Sequence, residues 1–171
     1  MPGNIRETSN RIPSILAVVD ELRNTRLEVG IFAPEGSEEY IIAMVNEYGA
    51  NITVTDKMRG YLAGKGLHLK RSTTTIKIPE RSFIRAGYEA NKEGIERMVT
   101  GLLPNVIHGR MTPENFYGMI GEYIVGKLHE YVQAFSSPPN HPFTVQQKGS
   151  DHPLIDTGRL NQSITYRVVR G

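Results

Sequence analysis

The stretch TPENFYGMIGEYIVGKLHEYVQAF, Thr112 to Phe135, sets Phe116, Ile120, Ile124, Leu128, Val132 and Phe135 at steps of four and three residues. Residues spaced in this way share one side of an α-helix, so the stretch reads as a long helix with a continuous apolar stripe. Thr112 is placed to cap it, Pro113 falls at the first helical position, and Glu114 puts negative charge beside the positive end of the helix dipole. Gly118, Gly121 and Gly126 lie inside it, each costing up to ~1 kcal/mol relative to alanine. They either admit a close neighbour or mark a helix that adapts during assembly.

Upstream of this helix, Ile84, Tyr88, Ile95, Met98, Val99 and Leu102 mark a second helical stripe, entered through a turn over Pro79 to Arg85 and expected to stop at Pro104. Nearer the start, Ile12, Ile15, Leu16, Val19 and Leu22 predict an amphipathic helix from Arg11 to Arg23, with Pro13 tolerated in its first turn. Leu27, Val29 and Ile31 alternate with Glu28, Gly30 and Phe32 as a strand closed by Pro34. A short helix follows from Glu38 to Glu47, with Ile41, Ile42 and Val45 expected inward and Gly49 as its stop. Downstream, Ser136 to Pro153 carries four prolines and reads as irregular, and Ile164 to Val169 alternates as a last strand.

Between Ala50 and Ile78 the pattern changes. The β-branched ends read as two strands of a hairpin-like excursion, joined by a flexible or weakly helical tip; a connection this long is often functional. The expectation is one α+β domain over residues 1–171, with a small, mainly antiparallel sheet and about three helices packed on it. An arm near residues 50–78 extends from that body. Whether the two terminal strands pair is left open by the sequence.

Composition narrows the function. The chain has 171 residues, 39% hydrophobic and 22% charged, enough to bury a core without staples. Cysteine is absent, which removes disulfides, thiolate metal sites and thiol catalysis. With 20 basic and 18 acidic residues the formal charge is only +2, unlike the clear basic excess of a dedicated DNA-binding protein. No signal-peptide pattern and no apolar run near the ~18 residues of a membrane span occur. The expectation is a soluble chain made in the cytoplasm.

Candidate chemistry is thin. The five histidines lie in no nucleophile motif. His141, His152 and Asp156 have ligand chemistry but no metal-site spacing, and solvated loop residues explain them better. Gly64-Lys65-Gly66 lacks the spacing of a phosphate-binding loop. The acidic pairs Asp20-Glu21 and Glu38-Glu39 point about 100° apart on their helices and focus on no single substrate. One cluster stands out: Lys57, Arg59, Lys65, Lys70 and Arg71, with no acid between Lys57 and Arg71 and with Tyr61 and His68 interleaved. It suits phosphates, an acidic partner surface, or plain solvation.

Four blocks follow one another along the chain: the strand Leu27 to Phe32, the helix end Val45-Asn46-Glu47-Tyr48-Gly49, Ile78-Pro79-Glu80-Arg81-Ser82-Phe83-Ile84-Arg85, and Lys148-Gly149-Ser150 ahead of Pro153-Leu154-Ile155-Asp156-Thr157-Gly158-Arg159-Leu160-Asn161-Gln162-Ser163-Ile164. Physically these are scaffold features. Gly49 can take a left-handed cap, Pro79 fixes a turn, and Phe83 enters the core as the next helix starts. Asp156 or Thr157 can cap a short helical turn, and Leu160 and Ile164 anchor the last strand.

Set in order, the blocks resemble the neck or tail-completion (head–tail joining) proteins of long-tailed phages and prophages. That resemblance implies a structural virion subunit with no reaction, cofactor or metal, made in the bacterial host cytoplasm and resident at the head–tail junction or tail. Its partners would be copies of itself in a closed ring, six-membered (hexameric) by the family's setting, with portal or head-completion proteins on one side and the tail tube or tail terminator on the other. Phage DNA would pass through, and no membrane would be involved. The resemblance assigns Pro79, Arg81, Phe83, Asp156, Thr157, Gly158 and Leu160 to the structural motif. The runner-up is a nucleic-acid-binding accessory protein using the Lys57 to Arg71 segment.

Overall fold

The helix expected from Thr112 is the centre of the fold. The computed structural model describes residues 11–171, and in it α5 spans Pro113–Ala134, capped by the Thr112 hydroxyl accepting from the Asn115 amide. Phe116, Ile120, Ile124, Leu128 and Val132 are all buried along its stripe. The preceding helix, α4 (Arg85–Ile107), lies antiparallel against it. Gly87 of α4 faces Leu128 and Tyr131, and Gly94 faces Tyr123; a β-carbon on either glycine would come within 2.8 Å of its nearest neighbour. Helix α4 continues past Pro104, where the sequence suggested a stop. The proline forgoes a bond to the carbonyl of exposed Thr100, and burial of Val106, with no exposed surface, keeps the last turn in place.

A terminal ribbon packs on another side of α5. Strand β1 (Thr25–Gly30) pairs antiparallel with β4 (Thr165–Arg170), in register from Thr25 opposite Arg170 to Gly30 opposite Thr165. The first and last strands therefore meet in one ribbon. Gly121 receives the ring of Tyr166, and the Tyr117 hydroxyl donates to the carbonyls of Leu22 and Thr25. The close neighbour admitted by a glycine of α5 is thus a strand aromatic, while Gly126 faces open space. Helix α1 (Ile12–Arg23) touches α4, α5 and β1. It does so through Val18 and Leu22, leaving Ile12 and Leu16 exposed.

The short helix α2 (Glu38–Tyr48) is turned differently from expectation. Ile41 and Ile42 are exposed, and Ala43 and Glu47 face the body instead. After it comes the excursion: β2 (Ala50–Thr53), helix α3 (Asp56–Gly64) and β3 (Thr75–Ile78), with β2 and β3 paired antiparallel from Ala50 opposite Ile78 to Thr53 opposite Thr75. The tip is helical, capped by Thr55. No residue between 50 and 78 joins the main hydrophobic core.

The proline-rich segment is more ordered than its composition suggests. It holds α6 (Pro142–Lys148) and a cis Ser137–Pro138 peptide. A last short helix, α7 (Arg159–Gln162), starts at Gly158 with φ +80°, and neither Asp156 nor Thr157 caps it. The protein is α+β, with seven helices and two antiparallel two-stranded ribbons among the described residues.

Candidate functional site

Glu47 holds the second and third sequence blocks together. Its carboxylate is buried in front of the start of α4, where the first amides of a helix lack partners. Oε2 accepts from the amides of Phe83 (2.8 Å) and Ile84 (3.0 Å). Oε1 accepts from the Arg85 amide (3.1 Å), the Ser82 hydroxyl (2.7 Å) and Arg85 Nε (3.0 Å). Burial alone would raise the carboxyl pKa, but the donors at Ile84, Ser82, Arg85 and Phe83 together outweigh it and hold the pKa below the ordinary glutamate value. Arg85 also donates to the Glu47 carbonyl and to Glu80, and lies over the Tyr48 ring. Gly49 has φ +71° but an extended ψ of 173°, and a β-carbon there would stand 2.9 Å from the Ile78 carbonyl oxygen.

Arg81 organises the other side. Only 6% exposed, it donates through Nε to the Pro138 carbonyl and through Nη2 to that of Pro139, both at 2.9 Å. Its own amide donates to the Asn46 carbonyl at 2.7 Å. His152 ties down the rest of the loop: Nδ1 accepts from the amides of Leu154 and Ile155, and Nε2 lies 3.1 Å from the Gln133 carbonyl. Lys148 and Asn140 donate to the His152 carbonyl.

These anchors frame a cleft of about 700 Å³. One wall is the Ile42 and Val45 face of α2, another is Ile76, Ile78 and Pro79 at the end of β3, and the third runs from Pro153 to Leu160. Arg159 ion-pairs with Glu39 and approaches Glu38 to 3.9 Å, joining α7 to α2. Arg81 and Lys148 both line the space. Burial lowers the pKa of each; at Lys148, Asp156 partly opposes that shift and Arg81 adds to it.

Six of the motif residues, Pro79, Arg81, Asp156, Thr157, Gly158 and Leu160, therefore converge on one cleft although 77 positions separate Pro79 from Asp156. Phe83 does not join them; it has no exposed surface and sits in the core. Ile164 is buried at 2% exposure, and Leu160 is half-buried against the core. Sequence reasoning named Glu47 and His152 without their roles: Glu47 stood in a helix-end block, and His152 was set aside as a solvated loop residue, whereas its ring bonds to backbone. A lone acid at a helix end and a histidine among prolines carry no pattern that announces their partners.

The basic cluster divides. Lys57, Lys65, Lys70 and Arg71 are exposed. Arg59 is half-buried and donates to the carbonyls of Leu69, Lys70 and Thr73, closing the tip of the arm on itself. His141 accepts from the Phe143 amide at the start of α6. Among the described residues no group of three or more His, Asp or Glu side chains is arranged to hold a metal ion, and no helix is long and apolar enough to cross a membrane. The Ser163 hydroxyl in the cleft donates to the Leu160 carbonyl. The cleft is lined by apolar side chains together with Arg81, Lys148 and the carboxylates of Glu38, Glu39 and Asp156.

Comparison with family models, curated proteins and solved structures found no match to this chain.

Proposed function

We propose that this chain is a structural virion protein of a tailed phage, a neck or tail-completion subunit that forms a ring at the head–tail junction and catalyses no reaction. The observation that carries the reading is the way the ordered blocks work on one another. Glu47 of the second block caps the helix that the third block begins. Arg81 of the third block holds the loop leading to the fourth. The signature is thus a connected scaffold, as expected where a motif preserves shape for assembly. The arm supports it too, since four exposed cations stand on its tip and the arm contributes nothing to the main core. Such charges suit an acidic surface on a neighbouring component.

The same four side chains sustain a second reading, a nucleic-acid-binding accessory role, because none of them is ion-paired among the described residues. A steep loss of DNA affinity with added salt would favour that alternative.

Joining in vitro tests the first reading. Heads and tails made without this chain should stay separate and should join when the purified protein is added. Joining that proceeds equally well without it would remove the assignment.

A further inference from the structure

Arg81 and Lys148 line the cleft with only Asp156, which acts on Lys148 from beyond ion-pair distance, as a counter-charge. Arg81 is 94% buried by its 6% exposure, yet neither it nor Lys148 lies within ion-pair distance of any carboxylate among the described residues. The two backbone carbonyls take Arg81 Nε and Nη2, and Nη1 has no hydrogen-bond partner among the described residues. Lys148 spends one donor on the His152 carbonyl and keeps the others. Arg81 is withdrawn from water, half-buried Lys148 lies close enough to act on it, and Asp156 offsets Lys148 only in part, so an external anion would complete the pair.

We propose that the cleft binds a short extended segment of a partner protein, apolar along its length, through one carboxylate seated between Arg81 and Lys148. The volume of about 700 Å³ is that of a ligand site. Its walls, Ile42, Val45, Ile78 and Leu154 among them, suit aliphatic side chains on either side of the acid. A planar guanidinium and an ammonium together match a carboxylate's two oxygens. The lining argues against a polyanion. Glu38, Glu39 and Asp156 line the same space, and a chain of phosphates reaching Arg81 would meet all three, whereas a single carboxylate on an apolar segment leaves the pairing of Glu38 and Glu39 with Arg159 in place. This inference stands on the cleft alone and holds wherever the chain assembles.

The test is selection of short random peptides on the full-length protein, followed by amide-proton NMR with the winners. Retained peptides should carry one Asp or Glu flanked by apolar residues and should shift resonances of Arg81, Lys148 and Leu154. Replacing the acid by its amide should weaken binding about tenfold, the worth of one charge-assisted bond. Lys148→Met should do the same without touching the carbonyl anchors of Arg81, and because it also removes the bond to the His152 carbonyl, Lys148→Arg, which keeps both charge and donor, should restore binding. Four results would overturn the proposal: no retained peptide, winners lacking an acid, equal affinity after amide replacement, or inorganic phosphate competing as strongly as the peptides.

Discussion

At the scale of single residues, Glu47 is the most consequential side chain outside the apolar core. Five donors converge on its carboxylate, and two elements distant in sequence depend on it. Glu47→Ala would strand those donors in a buried place, and we expect a loss of about 3 kcal/mol at neutral pH, read from denaturant melts. Its pKa is lowered in the folded state, so its contribution is complete above the unfolded value of about 4.3 and disappears as pH falls through the folded one. Glu47→Gln should therefore flatten the fall in stability on acidification below that point. The share due to Glu28, whose pKa is lowered by Arg167 and then by Arg26, should persist. Little of this was legible in advance. Val45 to Gly49 reads as a helix end, and so it is, but a carboxylate's partners 35 to 38 positions away leave no mark in a local pattern. Six residues of the motif do meet in one cleft, and the sequence supplied their identity without their common place.

At the scale of elements, α5 and the terminal ribbon depend on a missing side chain. Gly121→Ala would gain about 1 kcal/mol of helix propensity. It would also drive a methyl group into the base of the Tyr166 ring, which costs about 1–3 kcal/mol where packing is tight. We predict net destabilisation in the wild-type background and net stabilisation in a Tyr166→Ala background, a sign change that a double-mutant cycle of thermal melts would reveal. The arm offers a second contrast. Reversing Lys57, Lys65, Lys70 and Arg71 to glutamate should move stability by no more than about 0.5 kcal/mol, because these groups are exposed and unpaired. Arg59→Ala should instead loosen the tip, seen as faster hydrogen exchange over residues 56–75 with the core melt unchanged. The strong periodic elements were readable: α1, α2, α5, both terminal strands and the hairpin-like arm lie where the spacing put them, within a few residues. The facing of α2 was not. Apolar Ile41 and Ile42 suggested the inward side, but the bonds of Glu47 to the start of α4 fix the rotation of the helix. Order in the proline-rich segment was hidden for a similar reason. Arg81, His152 and Lys148 supply it through side-chain bonds to backbone, which composition does not record.

At the scale of the whole molecule, the central claim is a place: a closed ring at the junction of head and tail. Closed rings use heterologous interfaces, in which one surface of a subunit meets a different surface of the next. The exposed tip of the arm and the cleft at the arm's base are two such unlike surfaces. The charge-reversed arm variant, folded as the wild type, should impair head–tail joining through lost steering and mismatched contacts. Normal joining by that variant would take the arm out of the assembly. The most direct measurement is a cryo-electron microscopy reconstruction of the virion that carries this chain. The account predicts a ring of copies between portal and tail tube, six-fold in symmetry, with density for each arm against a neighbouring component. Finding the chain outside the head–tail junction and tail, or finding no copies in the particle, would contradict it.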